Sequence, residues 1–222
     1  MICAPIIEQD IEMMVKSANL ANSDLIELRL DYLNNFAGLK RIESVNKPKI
    51  ITCMPEWEGG LFCGTERERA EILLESLKFC GSTDYVSVEL KTGKNFLNEV
   101  ASAAKARKIK VIISHHDFEK TPGREEILKI IGSEKQAGAD IAKVAFMPEN
   151  YGDVLTVLSV LNNNLKIPVI AISMGELGKI SRVAGLLMGS YLTFASLGKG
   201  KESAGGQMSV DEVREALKFF KN

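Results

Sequence analysis

The segment LIELRLD, residues 25–31, alternates apolar and charged side chains and therefore has the period of a β-strand with two different faces. One face is wholly aliphatic, and the other carries Glu27 and Arg29 together with Leu25. The aliphatic face is suited to packing against helices. The charged face then points away from them, which predicts that these side chains project into the interior of a barrel near its mouth.

β-Rich runs of this kind alternate with amphipathic helical patterns along the whole chain. The predicted strands are ICAPI, LIELRLD, KIITCM, YVSVEL, KVIISHHDF, DIAKVAF, PVIAISM and YLTFASL. Helical patterns begin near Glu8, Phe36, Glu66, Lys94, Arg124, Tyr151, Lys179 and Val210. The tetrapeptides TERE and SVDE are capping boxes and mark two of these helix starts.

Eight strand–helix units in 222 residues give about 28 residues per unit, close to the minimum for a (β/α)₈ barrel. No linker or change in composition divides the chain, so residues 1–222 are predicted to form a single α/β domain, a (β/α)₈ TIM barrel. A doubly wound open sheet uses the same alternation and is the alternative. The count of eight and the polar positions late in several strands favour the barrel.

The overall charge and composition restrict the class of partner. A formal net charge of -1 and a pI near 6.2 argue against nucleic acid and anionic membranes, and favour a small-molecule substrate. The four cysteines lack paired spacing and the two histidines are adjacent, so no metal site is expected. The amino terminus lacks a signal-peptide pattern, and no apolar run is long enough to cross a bilayer. A cytoplasmic location is expected.

Lys143 lies in the apolar run DIAKVAFMPEN, residues 140–150, where an ammonium group loses hydration. One interpretation is a packed aliphatic stem whose amine reaches water at the strand end. The other is an amine that forms an imine with a carbonyl. Burial and neighbouring positive charge lower the pKa of such an amine and so favour its neutral, nucleophilic form. Polar residues late in other strands support the second interpretation.

Two further residues could act on protons beside this amine. In the run ISHHDF the strand period separates His115 from His116, and His116 is assigned to the inward face with Ser114. Imidazole titrates near working pH and can shuttle a proton, although a structural histidine is the alternative. Glu58, in EWEGG, could orient His116 or could simply belong to a surface turn.

Two segments near the chain's end could bind an anionic ligand. Arg182, in KISRVAG, could clamp a carboxylate, although the local sequence equally fits a surface helix. The glycine-rich segment GKGKESAGGQ, residues 198–207, could close over a ligand or could be a disordered surface loop. It does not match a phosphate-binding Walker pattern.

Taken together, these motifs resemble those of the type I 3-dehydroquinate dehydratase family. Its members are Schiff-base enzymes of the shikimate pathway, which leads to aromatic amino acids. The motifs that carry the resemblance occur in the family's order along nearly the whole chain: ELRLD, EGG, SHHDF, DIAKVAFMP, ISRVAG and ESAGGQ. The resemblance implies a (β/α)₈ barrel, usually a homodimer, that needs neither a metal nor an organic cofactor. It also implies a lyase that converts 3-dehydroquinate to 3-dehydroshikimate and water.

The resemblance assigns the catalytic roles to three of these residues. Lys143 would form the imine with the C3 ketone of 3-dehydroquinate. His116 would remove the C2 proton and later protonate the departing C1 hydroxyl, and Glu58 would orient His116.

The resemblance further implies five substrate-binding residues. The substrate carboxylate would pair with Arg182, and its ring hydroxyls with Glu27 and Arg29. Ser203 and Gln207 would cover the substrate from the closing loop.

One position departs from the family pattern. Many members carry an arginine four residues before the EGG glutamate, whereas this chain has Met54 in TCMPEWEGG. A lysine-imine aldolase on a similar barrel is the alternative enzyme, and a barrel that binds without turnover is the alternative of a different class.

Overall fold

The computed structural model describes residues 1–162 and 165–220 and shows a parallel sheet of eight strands wound into a nearly closed barrel. The spatial order is β7-β6-β5-β4-β3-β2-β1-β8, and every pair is parallel. The strand bounds are β1 Ile2–Ile6, β2 Leu25–Arg29, β3 Lys49–Thr52, β4 Tyr85–Glu89, β5 Lys110–Asp117, β6 Ile141–Phe146, β7 Val169–Ser173 and β8 Thr193–Phe194. Beside β8, the Tyr191 N–H donates to the Val169 carbonyl at 2.8 Å, which brings the two ends of the sheet together.

Helices connect the strands on the outside of the barrel. Their bounds are α1 Ile11–Leu20, α2 Glu66–Leu77, α3 Lys94–Ala106, α4 Arg124–Gln136, α5 Tyr151–Ser159, α6 Gly175–Gly178, α7 Ser181–Leu187 and α8 Val210–Lys218. The two predicted capping boxes are present at Thr65–Glu68 and Ser209–Glu212. The predicted barrel is therefore confirmed, and the open-sheet alternative is wrong.

The second connection differs from the predicted α-helix near Phe36. The chain instead forms a 3₁₀ segment, Leu39–Ser44, after Gly38 in the left-handed conformation with φ 80°. Leu39 and Ile42 are its buried residues, and a spacing of three places both side chains on one side of a 3₁₀ helix. The pattern near Lys179 also divides, into the short α6 and the following α7.

Apolar residues form two separate layers, as the strand period predicts. Ile26 and Leu28 belong to an outer cluster that includes Met14 of α1. Leu25 belongs instead to an inner cluster that includes Ile112. The charged partners of Leu25 on β2 consequently face the barrel interior.

Strand register then brings the polar positions together at the carboxyl ends of the strands. Lys143 on β6 lies opposite Ser114 on β5, and Ser114 lies opposite Glu89 on β4. His116 is two residues beyond Ser114 on the same face, so it stands one layer above Lys143. Among the described residues, no helix is long and apolar enough to cross a membrane.

Candidate active site

A cavity of about 120 Å³ opens at the carboxyl ends of the strands. It is lined by seven of the eight residues singled out in the sequence: Glu27, Arg29, His116, Lys143, Arg182, Ser203 and Gln207. The eighth, Glu58, lies behind His116. The fold therefore gathers residues that are far apart in the sequence around one space.

Lys143 is 7% exposed, so its amine does not escape to water as a surface lysine would. Its Nζ lies 4.4 Å from the centroid of the Phe194 ring on the neighbouring side of the barrel. Burial lowers the pKa of Lys143, with Glu27 opposing and Arg29 adding to the decrease. A lysine in this environment is more readily neutral, which is the form that attacks a carbonyl.

Glu58 contacts His116 through both backbone and ring. Its Oε1 accepts a hydrogen bond from the His116 backbone N–H at 2.6 Å and lies 3.5 Å from the ring Nδ1. The strand–turn geometry that allows this depends on Gly59, which ends the turn Glu56–Glu58 with φ 80°. The carboxylate is thus placed against the imidazole and is not at a surface turn.

The protonation of this pair follows from burial. The pKa of His116 is held well below its ordinary value by desolvation, and Lys143 and Arg29 lower it further. Burial raises the pKa of Glu58, while the His116 amide lowers it. A neutral imidazole next to a buried carboxylate is suited to accept a proton.

Arg29 and Glu27 are both held by buried partners. Arg29 donates from Nε and Nη2 to the two carboxylate oxygens of Asp31, at 2.9 and 2.7 Å. Glu27 accepts from the Thr52 hydroxyl at 2.9 Å. These contacts fix the direction in which each side chain presents its remaining polar atoms to the cavity.

Arg182 is 2% exposed, so the interpretation as a surface arginine is wrong. Its Nη1 donates to the Phe194 carbonyl at 3.2 Å, and within the described part of the chain its Nε has no hydrogen-bond partner. Desolvation lowers the pKa of Arg182 to about 10. A guanidinium buried with so few partners is suited to bind an anionic group.

The glycine-rich loop is ordered over the cavity. The Ser203 N–H donates to Gln207 Oε1 at 2.9 Å, and Gln207 Nε2 donates to the Ser203 hydroxyl at 3.0 Å. The loop is joined to the end of β7 by the Gly175 N–H, which donates to the Gly205 carbonyl at 3.2 Å. Lys201 points away from the cavity and pairs with Glu8 at 3.1 Å.

Several site residues were missed by sequence reasoning. Asp31 and Thr52 hold Arg29 and Glu27, and Phe194 covers the Lys143 amine. The strand period could have indicated Asp31, which is two residues beyond Arg29, but nothing local indicates Phe194. Met54, the departure from the family pattern, lines the cavity as expected from its position.

The fold and the site together define a class. A (β/α)₈ barrel with a buried lysine, a neutral histidine and polar groups at the carboxyl ends of its strands is a small-molecule enzyme of the TIM-barrel type. The family model for type I 3-dehydroquinase matches residues 2–222, and the chain belongs to that family. Its activity is that of a hydro-lyase, 3-dehydroquinate dehydratase of type I, with an implied role in the shikimate pathway.

Curated and solved relatives agree with this assignment. The chain is 41% identical over 228 residues to a 3-dehydroquinate dehydratase of Methanococcus maripaludis, covering 99% of this chain and 100% of the relative. It resembles the crystal structure of the Geobacillus kaustophilus 3-dehydroquinate dehydratase, with a TM-score of 0.90, 30% identity, and coverage of 99% and 90%. It also resembles the type I enzyme of Clostridium difficile with covalent modified comenic acid, with a TM-score of 0.87, 32% identity, and coverage of 99% and 91%.

Proposed function

We propose that this chain dehydrates 3-dehydroquinate through an imine on Lys143. The observation that carries the proposal is the buried amine with a lowered pKa, in the same cavity as a neutral histidine. The Clostridium difficile relative, described with covalent modified comenic acid, supports covalent chemistry in a site of this family.

The steps follow from the groups present. The neutral Lys143 amine adds to the C3 ketone, and the adduct takes up one proton from solvent and loses water to give a protonated imine. This imine withdraws electrons from C2, so His116 can remove the C2 proton. The electron pair then expels the C1 hydroxyl, which leaves as water with the proton that His116 returns. Hydrolysis of the protonated imine consumes one water and releases 3-dehydroshikimate, the free amine and the proton taken up in the first step.

The remaining residues bind and orient in this proposal. Glu58 holds the His116 ring, and Arg182 pairs with the substrate carboxylate. Ring hydroxyls meet Glu27 and Arg29, each already fixed by its buried partner. Ser203 and Gln207 cover the substrate from the glycine-rich loop.

Four broader expectations belong to the same proposal. The enzyme acts without a metal or an organic cofactor, it does not bind nucleic acid, it is cytoplasmic, and it assembles as a homodimer. Sedimentation at several protein concentrations would test the dimer directly. A monomer at assay concentration with full activity would contradict that part alone.

Borohydride reduction tests the imine. Incubation of the wild type with 3-dehydroquinate and borohydride should give a covalent adduct that peptide mass spectrometry places on Lys143, and Lys143→Ala should give none. Lys199→Ala, which removes an exposed lysine of the loop, is the matched control and should label normally. A folded wild type that forms neither adduct nor dehydroshikimate would refute the proposal. Labelling without product would instead support a barrel that binds without turnover.

His116→Ala tests the proton transfer separately. We expect turnover to fall by roughly a hundredfold or more, as for loss of a general base, with little change in thermal stability. Near-normal turnover in a folded His116→Ala protein would remove this residue from the mechanism.

A further inference from the structure

Glu58 is a buried carboxylate with one oxygen unused. Oε1 receives the His116 amide and faces its ring, whereas within the described residues Oε2 has no hydrogen-bond partner. The side chain is 0% exposed. A carboxylate in this position tends to take up a proton, because water no longer stabilises its charge. A protonated Glu58 would no longer attract the imidazole.

Lys91 approaches the unused oxygen from outside the cavity. Its Nζ lies 4.0 Å from Glu58 Oε2, and its side chain is 55% exposed. It stands in the turn after β4, where the Thr92 N–H donates to the Glu89 carbonyl at 3.0 Å and fixes the local backbone. Lys91 is not among the residues that line the cavity. Its position therefore suits contact with Glu58 better than contact with a substrate.

Two other titratable groups, His115 and Lys143, also lower the pKa of Glu58, but burial weakens the positive charge of each. On β5, desolvation lowers the pKa of His115 and that of His116, which favours their neutral forms. The buried amine of Lys143 on β6 also has a lowered pKa.

Two buried carboxyl groups complete the surroundings of Glu58. Glu89 on β4 is paired with Arg69, and burial raises its pKa to about 7. Burial raises the pKa of Glu134 on α4 to about 10, so this group is neutral at pH 7. Neither carboxyl favours an ionised Glu58. Among the lysines and arginines of the described residues, Lys91 is the one that lies within 4.0 Å of Glu58, and its half-exposed amine keeps its charge in water.

We propose that Lys91 is a positioning residue that keeps Glu58 ionised and directed at His116. The proposal rests on the proposed function, in which Glu58 orients the catalytic histidine. Removing Lys91 should make Glu58 easier to protonate and should also remove a positive charge that disfavours protonation of His116. Both effects move the loss of activity on the acid side towards higher pH.

The test compares pH profiles of kcat/KM for the wild type, Lys91→Met, Lys91→Arg and the control Lys94→Met, which removes an exposed lysine at the start of α3. We expect the acid limb of Lys91→Met to move up by roughly half a pH unit, about a threefold loss on that limb, with the plateau unchanged. Lys91→Arg should restore the wild-type profile. An unmoved limb, an equal shift in Lys94→Met, or a loss independent of pH would each overturn the proposal.

A second readout separates this proposal from failure of the proposed function. Carbon-13 NMR of the glutamate carboxyls follows Glu58 without any substrate, and Glu58→Gln assigns its signal. The titration midpoint of the Glu58 carboxyl signal should move to higher pH in Lys91→Met and not in Lys94→Met, even if the protein lacked turnover. In the Glu58→Gln background, Lys91→Met should move the acid limb less than it does in the wild type, because only the direct effect of Lys91 on His116 remains. An unchanged Glu58 midpoint refutes the electrostatic contact, and a changed midpoint without a changed activity profile refutes the positioning role.

Discussion

Replacing Arg182 with methionine should make the protein more stable and at the same time less able to bind its substrate. The guanidinium is 2% exposed, and within the described residues it donates one hydrogen bond, to the Phe194 carbonyl. Desolvation lowers its pKa to about 10, below that of an arginine in the unfolded chain. For a base, a lower folded-state pKa means that the charged form destabilises the fold at every pH below about 10.

The magnitude follows from this decrease. The pKa falls by more than two pH units, and at about 1.4 kcal/mol per unit the buried charge costs the folded protein ~3 kcal/mol. Methionine removes that cost but also the hydrogen bond to Phe194, which contributes about 1 kcal/mol. We expect a net gain of about 2 kcal/mol, or roughly 4–8 °C in Tm for a chain of this length.

Binding should change in the opposite direction. Loss of a buried charge pair with a carboxylate costs about 2–5 kcal/mol, which is a rise in KM of roughly thirtyfold or more. Circular dichroism melts give Tm, and the ultraviolet absorbance of the enone product gives KM. Arg182→Lys is the control, because it keeps the charge and should give no gain in Tm. A lower Tm in Arg182→Met, or an unchanged KM, would refute the argument.

Two other substitutions test the burial of the Glu134 carboxyl group and the ion pair between Lys201 and Glu8. Glu134→Met should raise the free energy of unfolding by up to about 3 kcal/mol at pH 7, because Glu134 is neutral in the folded protein and ionised in the unfolded chain. The gain should vanish near pH 4, where Glu134 is protonated in both states. Equal Tm gains at pH 7 and pH 4 would contradict this argument. Lys201→Met should raise KM about two- to threefold with kcat nearly unchanged, since its ion pair with Glu8 anchors the loop over the cavity. The KM of the wild type should rise more steeply with salt than that of Lys201→Met, and Lys199→Met should behave as wild type. An equally steep salt dependence in Lys201→Met would rule out the ion pair as the anchor.

Strand periodicity predicts most of this site because it is a local property. The alternation in LIELRLD identifies the faces of β2, and the structure places Glu27 and Arg29 inside as the pattern indicates. The same rule selects His116 over His115. Both inferences require only that neighbouring side chains in a strand point to opposite faces.

Arg182 shows where local patterns fail. Its segment resembles a surface helix, but the short α6 turns the chain back before α7 begins. The Ser181 hydroxyl donates to the Gly178 carbonyl at 2.7 Å and accepts the Ser173 N–H at 3.0 Å, which ties the start of α7 to the end of β7. Arg182 is thereby carried inward. This arrangement depends on contacts between separate elements, which no window of sequence contains.

Arg69 was missed for a related reason. It lies in ERERAE, a sequence typical of an exposed helix face, yet it is 1% exposed. It donates to the Cys53 carbonyl and pairs with Glu89, so it joins α2 to the ends of β3 and β4 beneath the site. A charged residue becomes buried here because its partners come from two distant strands.

The charges around the cavity indicate what kind of ligand completes it. Arg29 is paired with Asp31, and Glu27 is the main group that offsets the charge of Lys143 whenever this amine is protonated. Among the cations that line the cavity in the described chain, Arg182 is left without a carboxylate partner. A ligand with a single carboxylate would supply that missing charge, whereas a phosphate dianion would bring one negative charge too many into a buried space. The arrangement therefore favours a hydroxylated monocarboxylic acid such as 3-dehydroquinate over the sugar phosphates of a lysine-imine aldolase.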